Sequence, residues 1–206
     1  MAFDALNILT SFPGWSTDFD LMYRQEQSRT AGGKTYVKDL GSPLWAASWI
    51  SATLNANQLD SWRARLKALE NGLVEFRAIP MSRYYPIAYP NGSWPTGSAF
   101  SGSGTVGTIN ANRKAISAAG FPVGYTHSVG DYVQIGSSDL HQIIENATTG
   151  QFEIRPHLWP GVAAGSVLKA FKPFCLMTIV PGSISSAADP ITGRGKISFQ
   201  AIESRS

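Results

Sequence analysis

Between residues 44 and 79 the spacing of hydrophobic positions changes twice. In LWAASWISATL, Leu44, Ser48, Ile50 and Leu54 fall on one side and Trp45, Trp49 and Thr53 on the other, the period of two that marks a largely buried strand. NANQLDSWRARLKALENG then spaces Leu59, Trp62, Leu66 and Leu69 by three and four. That pattern predicts a one-sided helix starting at Asn57 and stopping at Gly72, with Asp60, Arg63, Arg65 and Lys67 outward. LVEFRAI returns to a period of two, with Val74, Phe76 and Ala78 set against Leu73, Glu75 and Arg77. Strand, helix and strand share one apolar side that carries no set of acids, bases or metal ligands. They are expected to hold structure, not chemistry.

Upstream, FDLMYRQEQSRTAGGKTYVKDLG alternates on both sides of Ala31, Gly32 and Gly33, which predicts a long polar hairpin with a glycine turn. Its cations Arg24, Arg29, Lys34 and Lys38 are mixed with Glu26 and Asp39. Solvated charges that discourage edge pairing are the simpler expectation, and a subunit contact is the second. Gly41, Ser42 and Pro43 end the hairpin and deliver the chain into the buried strand.

Past Ile79 the texture becomes Pro, Gly, Ser and aromatic, and proline cannot donate to a sheet ladder, so a crossing out of the first domain is expected. Its Tyr84, Tyr85, Tyr89 and Trp94 have two readings. Aromatics beside prolines commonly pack a junction; with Trp159 they otherwise offer a sugar-stacking or partner surface. From 105 to 171 short strands recur in TVGTIN, HSVGDYVQIG, LHQIIENA, TTGQFEIRP and SVLKAF, while NRKAISAAGF is read as one short turn. These predict a small five-stranded barrel, OB-like in size. The tail regains apolar strands in FCLMTIVPG and GRGKISFQAIES, which have no barrel of their own and are expected to rejoin the first domain. The expected fold is mainly β: a β-sandwich-like domain with one packed α-helix at 1–88 and 170–206, and an OB-like β-barrel inserted at 89–169.

Composition narrows the function classes. The formal charge of +3 is small and its Lys and Arg are scattered, so no nucleic-acid footprint is expected. No run reaches the roughly 18 to 20 apolar residues of a membrane helix, and the first fifteen or so residues lack the segments of a secretory leader, so folding in the cytoplasm is expected. The single cysteine, Cys175, lies in an apolar run and is expected to pack as a small hydrophobe. Gly102, Gly104 and Gly107 spell G-x-G-x-x-G without the preceding strand or the later acid that a dinucleotide site needs. His127, His141 and His157 have no ligand-spaced partners and are expected at the surface or in barrel loops. Asp131, Asp139, Glu145 and Glu153 read as solvated rather than as a hydrolase pair. An enzyme is the least supported class, and no cofactor or metal is expected.

SRTAGGKTYVKDLGSPLWAASW, WRARLKALENG, SVGDYVQIG, FEIRPHLW and VAAGSVLKAFKP, in that order, resemble minor tail proteins of long-tailed (siphovirus-type) bacteriophages, and above all the distal tail protein family. The resemblance implies a tail-tube-like domain with one helix, in some members carrying an outward OB-like insert. It also implies a structural protein of the virion tail tip, made in the host cytoplasm: a homo-oligomeric, six-fold ring joining the tail tube protein to the tip hub, with the genome passing through its lumen without specific binding. The runner-up from another class is a carbohydrate-binding module of a tail tip or fibre that contacts the host surface through Tyr84, Tyr85, Tyr89, Trp94 and Trp159.

Overall fold

The computed structural model describes residues 4–96 and 100–205 of the 206. The chain divides into two compact units, one formed by Met1–Arg77 with Leu176–Ser206 and the other by Ala78–Cys175. The architecture is mainly β, with one packed helix and a closed barrel.

The first unit is built on a five-stranded sheet. Its strands are β1 (Gly14–Met22), β4 (Leu44–Ser51), β5 (Phe76–Ala78), β12 (Cys175–Ile179) and β13 (Ser198–Glu203), in the order β1-β4-β13-β12-β5. The alternation read from the sequence is the alternation of burial: Trp45, Ala47, Trp49 and Ser51 point inward from β4, as do Phe199 and Ala201 from β13. One helix, α1 (Ala56–Lys67), buries Leu59, Trp62 and Leu66. It starts one residue before the expected Asn57, because Asn55 is the cap. The Asn55 side chain accepts from the Gln58 backbone N–H at 2.9 Å and the Gln58 side chain accepts from the Asn55 N–H at 3.1 Å. It also ends earlier than Gly72, since a separate 3-10 turn at Glu70–Gly72 follows. Gly72 is still required there, with φ +106 and the Ile179 carbonyl where a Cβ would sit. Phe12 joins helix to sheet, edge-on to Trp62 at 5.2 Å and to Phe199 at 5.5 Å, and Phe199 stacks on Trp49 at 5.0 Å. Cys175 is fully buried among these apolar strands.

Between β1 and β4 the chain forms a second hairpin half, β2 (Gln25–Arg29) and β3 (Thr35–Asp39), paired with each other alone. The turn lies at Thr30–Lys34, around the expected glycines, where the Thr30 N–H donates to the Lys34 carbonyl at 2.9 Å, the Lys34 N–H donates to the Thr30 hydroxyl at 3.2 Å and the Gly33 N–H donates to the Thr30 carbonyl at 2.9 Å. All ten strand residues are exposed.

The second unit is a barrel of six strands, not five. In chain order these are β6 (Ser103–Ile109), β7 (Ala115–Ala119), β8 (Tyr132–Ile135), β9 (Asp139–Ile143), β10 (Gln151–Arg155) and β11 (Val167–Lys169), closing as β10-β7-β6-β11-β8-β9. The added strand is the AISAA read as a turn. It pairs with both β6 and β10, and tertiary pairing overrides its weak local signal. Each strand sends an aliphatic or aromatic residue into one core, among them Val106, Ile116, Val133, Ile143, Phe152 and Leu168. The three glycines of the apparent dinucleotide motif serve this packing: a Cβ at Gly102, Gly104 or Gly107 would collide with Phe171, with Ala119 and Phe121, or with Ser117.

The division at 77/78 and 175/176 replaces the boundaries expected at 88/89 and 169/170. The Pro-rich segment lies with the barrel because backbone bonds tie it there. The Ile87 N–H donates to Asp131 at 2.7 Å, and the Lys172 N–H donates to the Tyr84 carbonyl at 2.9 Å. The chain leaves the sheet after β5 and returns on β12, which are neighbours in it.

Candidate functional site

The four cations singled out from the sequence lie on or beside the exposed hairpin half. Antiparallel pairing sets Glu26 opposite Lys38, Gln25 opposite Asp39 and Arg29 opposite Thr35. Charges of both signs therefore occur on the arm, and Lys38 has a cross-strand carboxylate neighbour while Arg29 does not. Lys34 places its Nζ 5.0 Å from the centre of the Tyr36 ring. Arg24 lies at the base, where its carbonyl accepts from the Leu40 N–H at 2.8 Å and its guanidinium passes close to Gly41. Apolar side chains accompany the charges: Tyr36, Val37 and Leu40 are each more than half exposed. Among the described residues no further strand pairs with either edge of the arm.

The same unit has an open depression of about 430 Å³ on its sheet, lined in part by Asp18, Asp20, Met22, Ala46, Ser48 and Ile202. Strand register brings these together, for Asp18 pairs with Ser48, Asp20 with Ala46 and Met22 with Leu44. The lining is mostly apolar or small, with two carboxylates along the outer strand.

The five aromatics proposed as a binding platform are not brought together as one. Tyr89 is buried, 4.6 Å from Tyr125 and 5.7 Å from Trp94. Its hydroxyl accepts from the Thr126 N–H at 2.6 Å, which a packed residue does and a stacking platform has no need of. Tyr85 and Trp94 are half-buried in the same cluster, Tyr85 against Phe171 at 4.7 Å and Trp94 edge-on to Phe100 at 5.1 Å. Tyr84 lies 5.8 Å below the Lys172 ammonium. Trp159 is exposed on the loop after β10, where Arg113 holds its carbonyl and those of Leu158 and Val162.

Two expectations about titratable groups fail. His127 lies in a barrel loop, one of the two expected places, but is buried there; His141 is buried on β9, outside both expected places; and Asp131 is only 4% exposed rather than solvated. Asp131 follows a glycine turn, as the sequence indicated, but its carboxylate turns inward to accept from the Ile87 N–H and, at 3.0 Å, from the Ser128 N–H. Burial pushes its pKa up, opposed by these two bonds and by the charge of Arg83. His141 approaches the Pro156 carbonyl through Nδ1 at 2.9 Å. His127 stacks on Phe152 at 4.4 Å, and burial holds its pKa down at about 4, so the ring is neutral near pH 7. Sequence gives one weak signal for these positions: His127 and Asp131 flank the turn that leads into a barrel strand. Among the described residues no three of His, Cys, Asp and Glu are grouped to hold a metal ion. The arrangement presents contact surfaces and polar groups that hold loops.

No protein-family model matches the chain, and no curated protein matches it.

Proposed function

We propose that the chain is a structural subunit of a bacteriophage tail tip, assembling with copies of itself into a ring between tail tube protein and hub. The observation that carries this reading is the arm. A two-stranded hairpin is marginal in water by itself, and long unpaired edges are ordinarily shortened or covered. Here ten strand residues are exposed, with apolar Tyr36 and Val37 among them. Such an arm has a use when another subunit covers it. Cations on the arm and the Asp18 and Asp20 carboxylates on the sheet give a copy-to-copy contact electrostatic sense, and a heterologous contact closes into a ring when its rotation divides a full turn. The resemblance in order and texture to distal tail proteins supplies the ring's place, its six-fold number and the passage of the genome through it.

The test is made on phage particles whose genome encodes this chain, because rings of this kind can form on the growing tail alone. Cryo-electron microscopy of the tip should place the chain in a ring with residues 24–40 against the neighbouring subunit. Absence of the chain from the tail tip overturns the reading, and so does a ring whose inner subunit contacts are made by the barrel.

A further inference from the structure

The barrel unit has a recess of its own, one wall of which, Tyr125, packs on Tyr89. It is about 120 Å³, the space of about four water molecules at roughly 30 Å³ each. Its walls come from the end of β7, the turn after it and the connection between β9 and β10. Two backbone bonds clamp these walls: the His127 N–H donates to the Ala147 carbonyl at 2.8 Å and the Ala147 N–H donates back at 2.9 Å. Phe121, Tyr125, His127, Thr148 and Thr149 line it.

Two of these side chains are buried and polar. His127 is 6% exposed, and its imidazole is fixed by rings: stacked on Phe152, edge-on to Phe121 at 5.0 Å and tilted against Tyr125 at 4.8 Å. Tyr125 is 3% exposed, and its hydroxyl has no hydrogen-bond partner among the described residues. A buried hydroxyl left without a partner is costly, so its retention here asks for a reason. The imidazole is neutral near pH 7 and offers one donor and one acceptor nitrogen.

We propose that this recess is a binding site for a neutral, hydroxyl-bearing ring, the terminal unit of a saccharide. The chemistry of the lining selects that class. No charged side chain lines the recess, so an ionic ligand meets no counter-charge. An apolar ligand would bury His127 against nothing it can bond. A sugar has an apolar C–H face for the Phe121 ring, and hydroxyls that both donate and accept for Tyr125, His127, Thr148 and Thr149. A pyranose is larger than the recess, so one edge enters and the rest of the glycan stays outside. Contact that limited gives a weak site, with Kd on the order of 1 mM. The inference is independent of the ring assignment, since a saccharide site on the barrel serves a tail protein and a free-standing module alike.

The full chain, isotope-labelled, is titrated with glucose, galactose, mannose, rhamnose, N-acetylglucosamine and N-acetylgalactosamine while nuclear magnetic resonance follows the His127 ring and the Thr148 and Thr149 amides. At least one sugar should shift these signals to saturation. His127→Phe keeps the stacked ring and removes both nitrogens, Tyr125→Phe removes the hydroxyl alone, and each should weaken binding about tenfold or more with the fold intact. Loss of the exposed Thr148 and Thr149 hydroxyls together should weaken it as well, without touching the core. The proposal is overturned if no sugar of the panel shifts these signals, if the shifts map to residues away from the recess, or if His127→Phe binds as tightly as the parent.

Discussion

The hairpin that runs from β1 to β4 is one pair of strands in two environments. In its base, Phe19 and Leu21 of β1 oppose Ala47 and Trp45 of β4, and the Phe19 and Trp45 rings lie 5.4 Å apart over the sheet's inner side. In its outer half, Gln25 to Arg29 oppose Thr35 to Asp39, and every position is exposed. Backbone pairing is the same in both halves. The difference is the side-chain pattern: the base places an aromatic or aliphatic residue inward at every second position, and the arm does not. The turn sets the register of a hairpin and its hydrogen bonds hold it, but burial decides whether it is held to the body of the protein.

Damage to the buried half of the comparison should have the largest effect. Trp49 is fully buried between Phe199 and Phe76, and Trp62 is 6% exposed on the helix that covers the same core. Trp49→Ala or Trp62→Ala should each cost about 3 to 5 kcal/mol in denaturant unfolding of the first unit. Arg65→Ala removes a guanidinium that lies 4.8 Å over the Trp62 ring and donates to the exposed Ser11 hydroxyl at 3.1 Å, at a cost of about 0.5 to 1 kcal/mol. Equal small losses would mean that helix and sheet do not share a core.

Acid should separate the two units and leave the hairpin contrast alone. The folded pKa of His127 is about 4 against 6.5 for the free side chain. The native state therefore binds fewer protons than the unfolded chain between those values. The stabilisation is fully present above pH 6.5 and is lost as the pH falls toward 4, about 3 kcal/mol in all. Asp131 acts in the other sense, since its raised pKa favours the folded state as the pH falls toward the ordinary carboxylate value. Barrel unfolding followed from pH 7 to pH 4 should show a net loss of stability, and His127→Phe should remove the His127 part of the slope. A slope that persists in His127→Phe contradicts the assignment.

What could be read in the sequence follows the same division. The base strand at 44–51, the helix, the glycine turn of the arm and the two tail strands carry a clear period of two or 3.6, and each lies where it was expected within a few residues. Strand β7 was hidden because Ala115–Ala119 is made mostly of small residues. They suit a strand only where Gly104 and Gly107 let β6 approach closely, and that contact is set by the fold. Asp131 and His127 were misread for a related reason. A polar residue beside a turn is normally solvated, and the sequence does not display the distant Ile87 amide and Phe152 ring that enclose them. The aromatics at 84–94 were legible as packing residues from their prolines, whereas the barrel recess has no local pattern at all.

Removing the arm should change little in the monomer. Replacing residues 24–40 by a short Gly and Ser turn should leave the unfolding free energy within about 1 kcal/mol of the parent, since every strand residue removed is exposed. Assembly onto tails should be abolished. A large loss of monomer stability would show that the arm is part of the fold and would erase the contrast between the two halves. Val37→Ser narrows the test to one exposed apolar side chain: within about 0.5 kcal/mol for folding, with a measurable loss of assembly.

The smallest effect belongs to the arm's charges, and their placement makes it decisive. Exposed pairs contribute about 0 to 1 kcal/mol each and weaken as salt rises. Lys38→Glu puts a second carboxylate opposite Glu26, so it disturbs the arm itself as well as any contact the arm makes. Arg29→Glu faces Thr35 and leaves the arm's internal pairing as it was. If these cations act between subunits, Arg29→Glu should weaken assembly at low salt without lowering the melting temperature, and the deficit should shrink as salt is added. If Arg29 is the cation that meets the sheet's carboxylates, Asp18→Lys on the same chain should then restore part of what Arg29→Glu loses by setting a new cation against the new carboxylate of a neighbour. Equal assembly by Arg29→Glu and the parent at every salt concentration would remove Arg29 from the contact and leave the attraction to the arm's backbone edges, its apolar side chains Tyr36, Val37 and Leu40, and its other cations.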